Sequence, residues 1–140
     1  MDTSALVPLL IVEPTTAVCG RFWDDADAIV SSRLLYVESA AALAQAQRMG
    51  RINQRTYRRS RQLLDQMWAQ LDIVEVDEQI IARAADLADR LALRGYDAVH
   101  CASAEHIDDA DVVAAAGDQR LLTGWSTLGL AVYDTNQAAG

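Results

Sequence analysis

The sequence predicts an α/β fold in which helices cover both faces of a central, mainly parallel sheet, giving three α/β/α layers. Short apolar runs alternate along the chain with longer segments of helical periodicity. This alternation is typical of parallel sheets, because parallel strands need crossover connections that place helices on both faces. With 140 residues, 51% of them apolar, the chain is long enough for one domain over residues 1–140 with a substantial core.

In the first half, hydroxyl, acidic and amide side chains precede the segments of helical periodicity and predict their starts. The predicted elements are a helix over Ala5–Val12 capped by Asp2, Thr3 or Ser4, a helix over Thr15–Trp23 after Pro14, a strand over Ala28–Val30, a helix from Ser31 and Ser32 to Met49, and a helix from Asn53. Gly50 is expected to close the long helix.

In the second half of the chain, predicted strands and helices alternate more regularly. The predicted elements are a strand over Ile73–Val76, a helix that Asp77 caps and Gly95 ends, a helix over Asp97–His106, a loop at Asp108 and Asp109, a strand over Val112–Ala116, a helix over Asp118–Leu128 and a strand over Leu130–Tyr133. A sheet of this kind normally begins with a strand, yet only Met1 precedes Asp2. We therefore expect either a start a few codons upstream or a first strand reduced to a stub.

Composition excludes several classes of function. All twelve basic residues are arginine, so a lysine Schiff base and a P-loop with its phosphate-binding lysine are ruled out. No apolar run is long enough to span a membrane and no leader is recognisable, which predicts a cytoplasmic protein. Cys19 and Cys101 match no metal-ligand spacing and are expected to be buried free thiols.

The net charge of −8 argues against general polyanion binding, but the basic residues are unevenly placed. Six arginines lie between positions 48 and 61 with no acid among them, so the rest of the chain carries −14. They are Arg48, Arg51, Arg55, Arg58, Arg59 and Arg61. This patch is equally compatible with binding a phosphate backbone, with a solvated helix face and with a surface for a protein partner.

Four acids stand out as candidates for a metal site: Asp2, Glu38, Asp97 and Asp118. Glu38 lies within apolar sequence, where an unpaired carboxylate is costly. Carboxylates without a histidine-rich shell favour Mg²⁺ or Mn²⁺ over zinc. Asp97 and Asp118 could equally be helix N-caps, and Asp2 an ordinary terminal residue. His100, three residues after Asp97, is interpreted as a satisfied structural histidine.

Four segments, in this order, resemble PIN-domain proteins of the VapC type, the toxin half of bacterial toxin–antitoxin pairs. They are DTSALVPLL with the following EP, SSRLLYVESAAAL, LRGYDAVHCASA and AAGDQRLLTGWSTLGLAVYD. The resemblance implies an Mg²⁺-dependent (or Mn²⁺-dependent) endoribonuclease of a type II system, with its acidic site on Asp2, Glu38, Asp97 and Asp118. It also implies a homodimer and inhibition by a cognate VapB-like antitoxin.

The chain departs from the family pattern at two places. The strand before the first aspartate is missing, and Ala116-Gly117 replaces a hydroxyl residue before Asp118, while Ser4 matches the family's hydroxyl near Asp2. Two other functions are compatible with parts of this sequence. A degenerate PIN domain that acts only as a protein-binding module is disfavoured by the four acids. A phosphotransfer enzyme or phosphatase with Asp2 as nucleophile is disfavoured by the missing lysine and by Ser4.

Overall fold

A computed structural model describes residues 1–107 and 111–136 and confirms the α/β fold. The helices are α1 (Thr3–Leu10), α2 (Thr16–Asp25), α3 (Leu34–Arg48), α4 (Gln54–Trp68), α5 (Glu78–Leu91), α6 (Gly95–Ile107) and α7 (Gln119–Thr127). The strands are β1 (Val30–Ser32), β2 (Asp72–Val74), β3 (Val113–Ala116) and β4 (Ala131–Asp134). The predicted loop at Asp108 and Asp109 lies outside the described residues.

The strands form two parallel pairs, as the alternating pattern predicts. β1 pairs with β2, with Val30 opposite Asp72, and β3 pairs with β4, with Val113 opposite Ala131. Among the described residues these are two separate two-stranded sheets.

Met1 and Asp2 connect the two sheets. The Met1 ammonium donates to the carbonyl oxygen of Val30 at 3.3 Å, and the Ser31 hydroxyl donates to the carbonyl oxygen of Met1 at 2.7 Å. On the other side, the backbone N–H of Asp2 donates to the carbonyl oxygen of Ala115 at 3.2 Å. These two residues therefore lie between β1 and β3 as the stub of a central strand, and they deliver Asp2 to the carboxyl end of β3.

Two apolar clusters form the core. One is built mainly from α1, α3 and α4, with Leu6, Leu35, Leu43 and Leu64 fully buried. The other is built from α5, α6, β3 and α7 around Trp125, which is 1% exposed. Each large apolar side chain that is fully buried contributes roughly 1.5–3 kcal/mol to the stability of the fold. The clusters hold α3 and α6, which carry Glu38 and Asp97.

Several predicted helix boundaries are confirmed by their capping contacts. The Asn53 side chain accepts from the backbone N–H of Thr56 at 2.8 Å, and Asp77 accepts from that of Ile80 at 2.9 Å. Gly50 follows α3 with a φ of 74°, a left-handed conformation that glycine adopts without steric cost.

Other predicted boundaries are wrong by a few residues. α5 ends at Leu91 with Ala92 in the left-handed region, and Gly95 begins α6 instead of ending the helix before it. The strand predicted over Ala28–Val30 lies two residues later, and both predicted capping serines belong to it. Ser32 still accepts from the N–H of Leu34 at 3.2 Å, because its hydroxyl reaches the first turn of α3 from the end of β1.

No described helix has the length and apolar character that crossing a bilayer requires. Both cysteines are buried free thiols, as predicted, and burial raises the pKa of Cys101 to about 12. A thiol with so high a pKa stays protonated at neutral pH and is a poor nucleophile.

Candidate active site

Asp2 lies at the N-cap position of α1, but its carboxylate makes no capping hydrogen bond. Its Oδ1 instead accepts from the Ser4 hydroxyl at 2.6 Å, and the Ser4 oxygen accepts from the backbone N–H of Gly117 at 2.7 Å. Asp2 is only 6% exposed, and burial raises its pKa, an effect that the Ser4 hydrogen bond opposes. Buried, ordered contacts of this kind do not fit an ordinary terminal residue.

Glu38, on the second turn of α3, pairs with His100 of α6. His100 Nε2 lies 2.5 Å from Glu38 Oε1, and the His100 residue is 4% exposed. His100 therefore has a hydrogen-bond partner, as expected for a structural histidine. That partner is itself one of the four candidate acids, so the pair fixes how Glu38 faces the other carboxylates.

Asp97 lies inside the first turn of α6, which begins at Gly95, so it is not the N-cap residue of that helix. Burial raises its pKa, and the negative charges of Asp118 and Glu38 raise it further, while His100 and Arg94 act in the opposite direction. Burial and the neighbouring negative charges therefore both favour the protonated form of this carboxyl group.

Asp118 is the N-cap of α7, the alternative that the sequence analysis left open. Its Oδ1 accepts from the backbone N–H groups of Arg120 at 2.9 Å and Leu121 at 3.3 Å. Capping occupies Oδ1, and the described contacts leave Oδ2 for another role. Asp118 is only half-buried, and its negative charge still acts on Asp97.

The four acids thus come from four distant segments and influence one another electrostatically: Asp2 with Glu38, Glu38 with Asp97, and Asp97 with Asp118. In residues 1–107 and 111–136, however, no three His, Cys, Asp or Glu side chains converge closely enough to hold a metal ion as they stand. The donor set fits Mg²⁺ or Mn²⁺ chemically, because it consists of oxygen atoms with an excess of negative charge. Binding would require side-chain rotation toward a common point.

A cavity lies beside His100, the partner of Glu38. It has a volume of about 600 Å³ and is lined by β1, β3, Met1, Trp125 and His100, among other residues, but by none of the four acids. The acids lie outside its lining: Glu38, Asp97 and Asp118 are half-buried, and Asp2 is buried.

Gly117 supports the site in a way that the sequence pattern does not indicate. Ala116-Gly117 departs from the family pattern before Asp118, but the Gly117 N–H donates to the Ser4 hydroxyl oxygen, and the Asn136 side-chain amide donates to the Gly117 carbonyl at 2.9 Å. A Cβ on Gly117 would lie 3.1 Å from Thr135 Oγ1 and 3.3 Å from Asn136 Nδ2. Only the glycine itself could have signalled this close approach.

Comparison with known proteins adds an independent observation. Residues 1–122 match the family model described as PIN domain. The chain belongs to the PIN-domain family. It is 39% identical over 131 residues to Ribonuclease VapC45 of Mycobacterium tuberculosis (strain CDC 1551 / Oshkosh), covering 94% of this chain and 91% of that protein.

Further mycobacterial proteins place this PIN domain with the VapC type. Ribonuclease VapC49 of Mycobacterium tuberculosis (strain ATCC 25618 / H37Rv) is also 39% identical over 131 residues, covering 94% of this chain and 91% of that protein. Ribonuclease VapC47 of the CDC 1551 / Oshkosh strain is 34% identical over 134 residues, covering 92% and 90%. The resemblance read from the four sequence segments is confirmed.

Proposed function

We propose that this PIN-domain protein is a metal-dependent endoribonuclease and the toxin of a type II toxin–antitoxin pair. The observation that carries the proposal is the electrostatic interaction among Asp2, Glu38, Asp97 and Asp118 in a chain of this family. The relatives named as ribonucleases support the same reaction class.

Asp2 and Asp97 would hold Mg²⁺ or Mn²⁺ directly, and Glu38 and Asp118 would complete the cluster directly or through water. Such a cation lowers the pKa of a bound water and offsets the charge that builds on a phosphate during hydrolysis. Ser4 and Gly117 keep Asp2 in place, and His100 keeps Glu38 in place. The raised pKa values of Asp2 and Asp97 mean that protons compete with the cation for these two carboxylates.

The same proposal includes an RNA substrate, a cognate VapB-like antitoxin and a homodimer, each of which stays a prediction. A degenerate PIN domain that only binds protein is the alternative. It is disfavoured by the acids' ordered contacts, since a protein that had lost catalysis would have no need to keep a buried Asp2 paired with Ser4.

The test is the substitution Asp97→Asn, which removes one charge from the cluster while preserving side-chain size. We expect cleavage of total RNA in Mg²⁺ to fall at least about 100-fold, because the variant loses a proposed direct ligand. Near-UV circular dichroism and the melting temperature should still report a folded protein.

The matched control is Asp89→Asn on the exposed surface of α5, which should retain full activity. Full activity of Asp97→Asn would overturn the site assignment. Failure of the unaltered protein to cleave RNA or to bind Mn²⁺ at any concentration would favour the binding-module alternative.

A further inference from the structure

We propose that an arginine face on α4, formed by Arg55, Arg58 and Arg59, binds the phosphate backbone of the RNA substrate. The inference rests on the proposed function, and it names the surface that holds the substrate. It also selects one of the three interpretations that the arginine-rich sequence left open.

The arginine face has both the exposure and the charge for this role. All three side chains are exposed, and their spacing of three and four residues places them on one side of the helix. Within the described part of the chain none of them forms an ion pair with a carboxylate. Arginines elsewhere do: Arg33 pairs with Glu75, Arg51 with Glu13, Arg83 with Asp86 and Glu105, and Arg90 with Asp86.

The contacts between α4 and α3 leave the arginine face pointing outward. Arg61 of α4 donates to the Tyr36 hydroxyl of α3 at 3.2 Å, while that hydroxyl donates to Asp65 at 2.6 Å. Arg61 is therefore engaged within the α3–α4 pair, whereas Arg55, Arg58 and Arg59 remain exposed to solvent.

The surroundings of the arginine face favour a nucleic acid over an acidic protein. No large apolar side chain of α4 is strongly exposed, and Gln54, Gln62 and Gln66 are the exposed neutral neighbours. Protein interfaces are usually centred on buried aromatic and apolar anchors. A phosphate backbone needs only guanidinium groups, whose planar donors match phosphate oxygens bidentately. Asp65 is the nearby acid on α4, and it is engaged by Tyr36.

The experiment measures binding of a fluorescein-labelled 12-nucleotide oligouridine by anisotropy, between 50 and 300 mM KCl. All proteins carry Asp97→Asn so that cleavage does not interfere. The test variant adds Arg55→Gln and Arg59→Gln, and the control adds Arg21→Gln and Arg90→Gln, which remove the same charge from other exposed positions. Glutamine has nearly the helix propensity of arginine, so both should fold, which melting curves check.

We expect the Arg55→Gln/Arg59→Gln protein to bind about tenfold more weakly at low salt. The slope of log K against log salt should fall by about 1.4, since each phosphate contact on a single strand accounts for about 0.7. The control should keep the unaltered slope. Equal slopes in both variants would overturn the inference. So would loss of binding to a poly-glutamate peptide with oligouridine binding unchanged, which points to an acidic protein partner.

The two proposals fail in different ways. If the arginine substitutions weaken oligouridine binding while the unaltered protein cleaves no RNA, the arginine face stands and the proposed activity does not. If Asp97→Asn alone abolishes cleavage while the arginine substitutions leave the salt dependence unchanged, the activity stands and the arginine face does not.

Discussion

Three of the four candidate acids have a specific protein contact that limits their movement. Asp2 is held by Ser4, Glu38 by His100, and Asp118 by the first turn of α7. Asp97 differs, because the described contacts give its side chain no hydrogen-bond partner and its pKa is raised by burial and by Asp118. In the absence of a cation, this carboxylate therefore carries repulsion that His100 and Arg94 oppose but that no hydrogen bond offsets.

This repulsion predicts how stability depends on pH. Because the folded-state pKa of Asp97 is raised, the folded protein binds more protons than the unfolded chain above the ordinary carboxyl pKa of about 3.9. The contribution of the Asp97 carboxyl group to the free energy of unfolding is therefore present at lower pH. It is lost as the pH rises through the raised pKa of the folded state. In EDTA at pH 7 we expect Asp97→Asn to be more stable than the unaltered protein, by on the order of 1 kcal/mol or less because the group is partly exposed.

Urea denaturation in EDTA at pH 7 and pH 4 measures this effect. The difference between the proteins should shrink at pH 4, because the raised pKa of Asp97 favours the neutral carboxyl group of the folded protein at lower pH. With Mn²⁺ at pH 7 the order should reverse, since the cation stabilises the protein that keeps its ligand. A variant less stable than the unaltered protein in EDTA at pH 7 would contradict the assigned repulsion.

At the scale of the elements, residue type and spacing predicted more of the fold than of the site. The caps at Asn53 and Asp77 followed from local hydrogen bonding, which depends on the next three residues alone. The end of α5 did not, because Ala92 adopts a left-handed conformation that its residue type does not suggest. The Ser4–Gly117 contact joins residues 113 positions apart, and no local pattern carries that information.

Asp118 caps α7 and is also proposed to act in catalysis, so two different substitutions are needed to separate these roles. Asparagine is as good an N-cap as aspartate, whereas alanine in that position costs about 1 kcal/mol. We therefore expect Asp118→Asn to keep the stability of α7 and to lower RNA cleavage, because it removes charge from the cluster. Asp118→Ala should lose both activity and about 1 kcal/mol of stability. RNA cleavage rates and urea denaturation of the two variants measure these effects.

Asp77→Asn at the start of α5 is the control for the cap itself, since it makes the same exchange at a helix start outside the acidic cluster. It should leave both stability and cleavage close to those of the unaltered protein. If Asp118→Asn is fully active, Asp118 is a structural cap and the metal site has three acids.

At the scale of the whole molecule, the acidic site lies at the junction of the two sheets. Met1 and Asp2 link β1 to β3 through two hydrogen bonds to β1 and one to β3, and the cavity of about 600 Å³ beside Met1 is lined by residues of both strands. The Met1 ammonium is buried, and desolvation lowers its pKa. Burying a charged group is costly, so the link that positions Asp2 is also a weak point of the fold.

This arrangement predicts that an apolar strand joined to Met1 stabilises the protein. We expect a Met-Val-Ile-Val extension before Met1 to fill the cavity, pair with β1 and β3, and replace the buried ammonium with an amide. Each buried apolar side chain contributes roughly 1.5–3 kcal/mol against an ordering cost of about 1–2 kcal/mol for the backbone. A net gain of about 2 kcal/mol corresponds to a melting temperature roughly 5–8 °C higher.

The matched control is a Met-Gly-Ser-Gly extension, which also removes the ammonium but brings no apolar side chains. It should raise the melting temperature by much less than the Val-Ile-Val extension. Equal melting temperatures for the two would show that the cavity does not accept a strand. If the apolar extension also increases RNA cleavage, with Asp97→Asn in the same background inactive, then holding Asp2 more rigidly at the sheet junction contributes to activity as well as to stability.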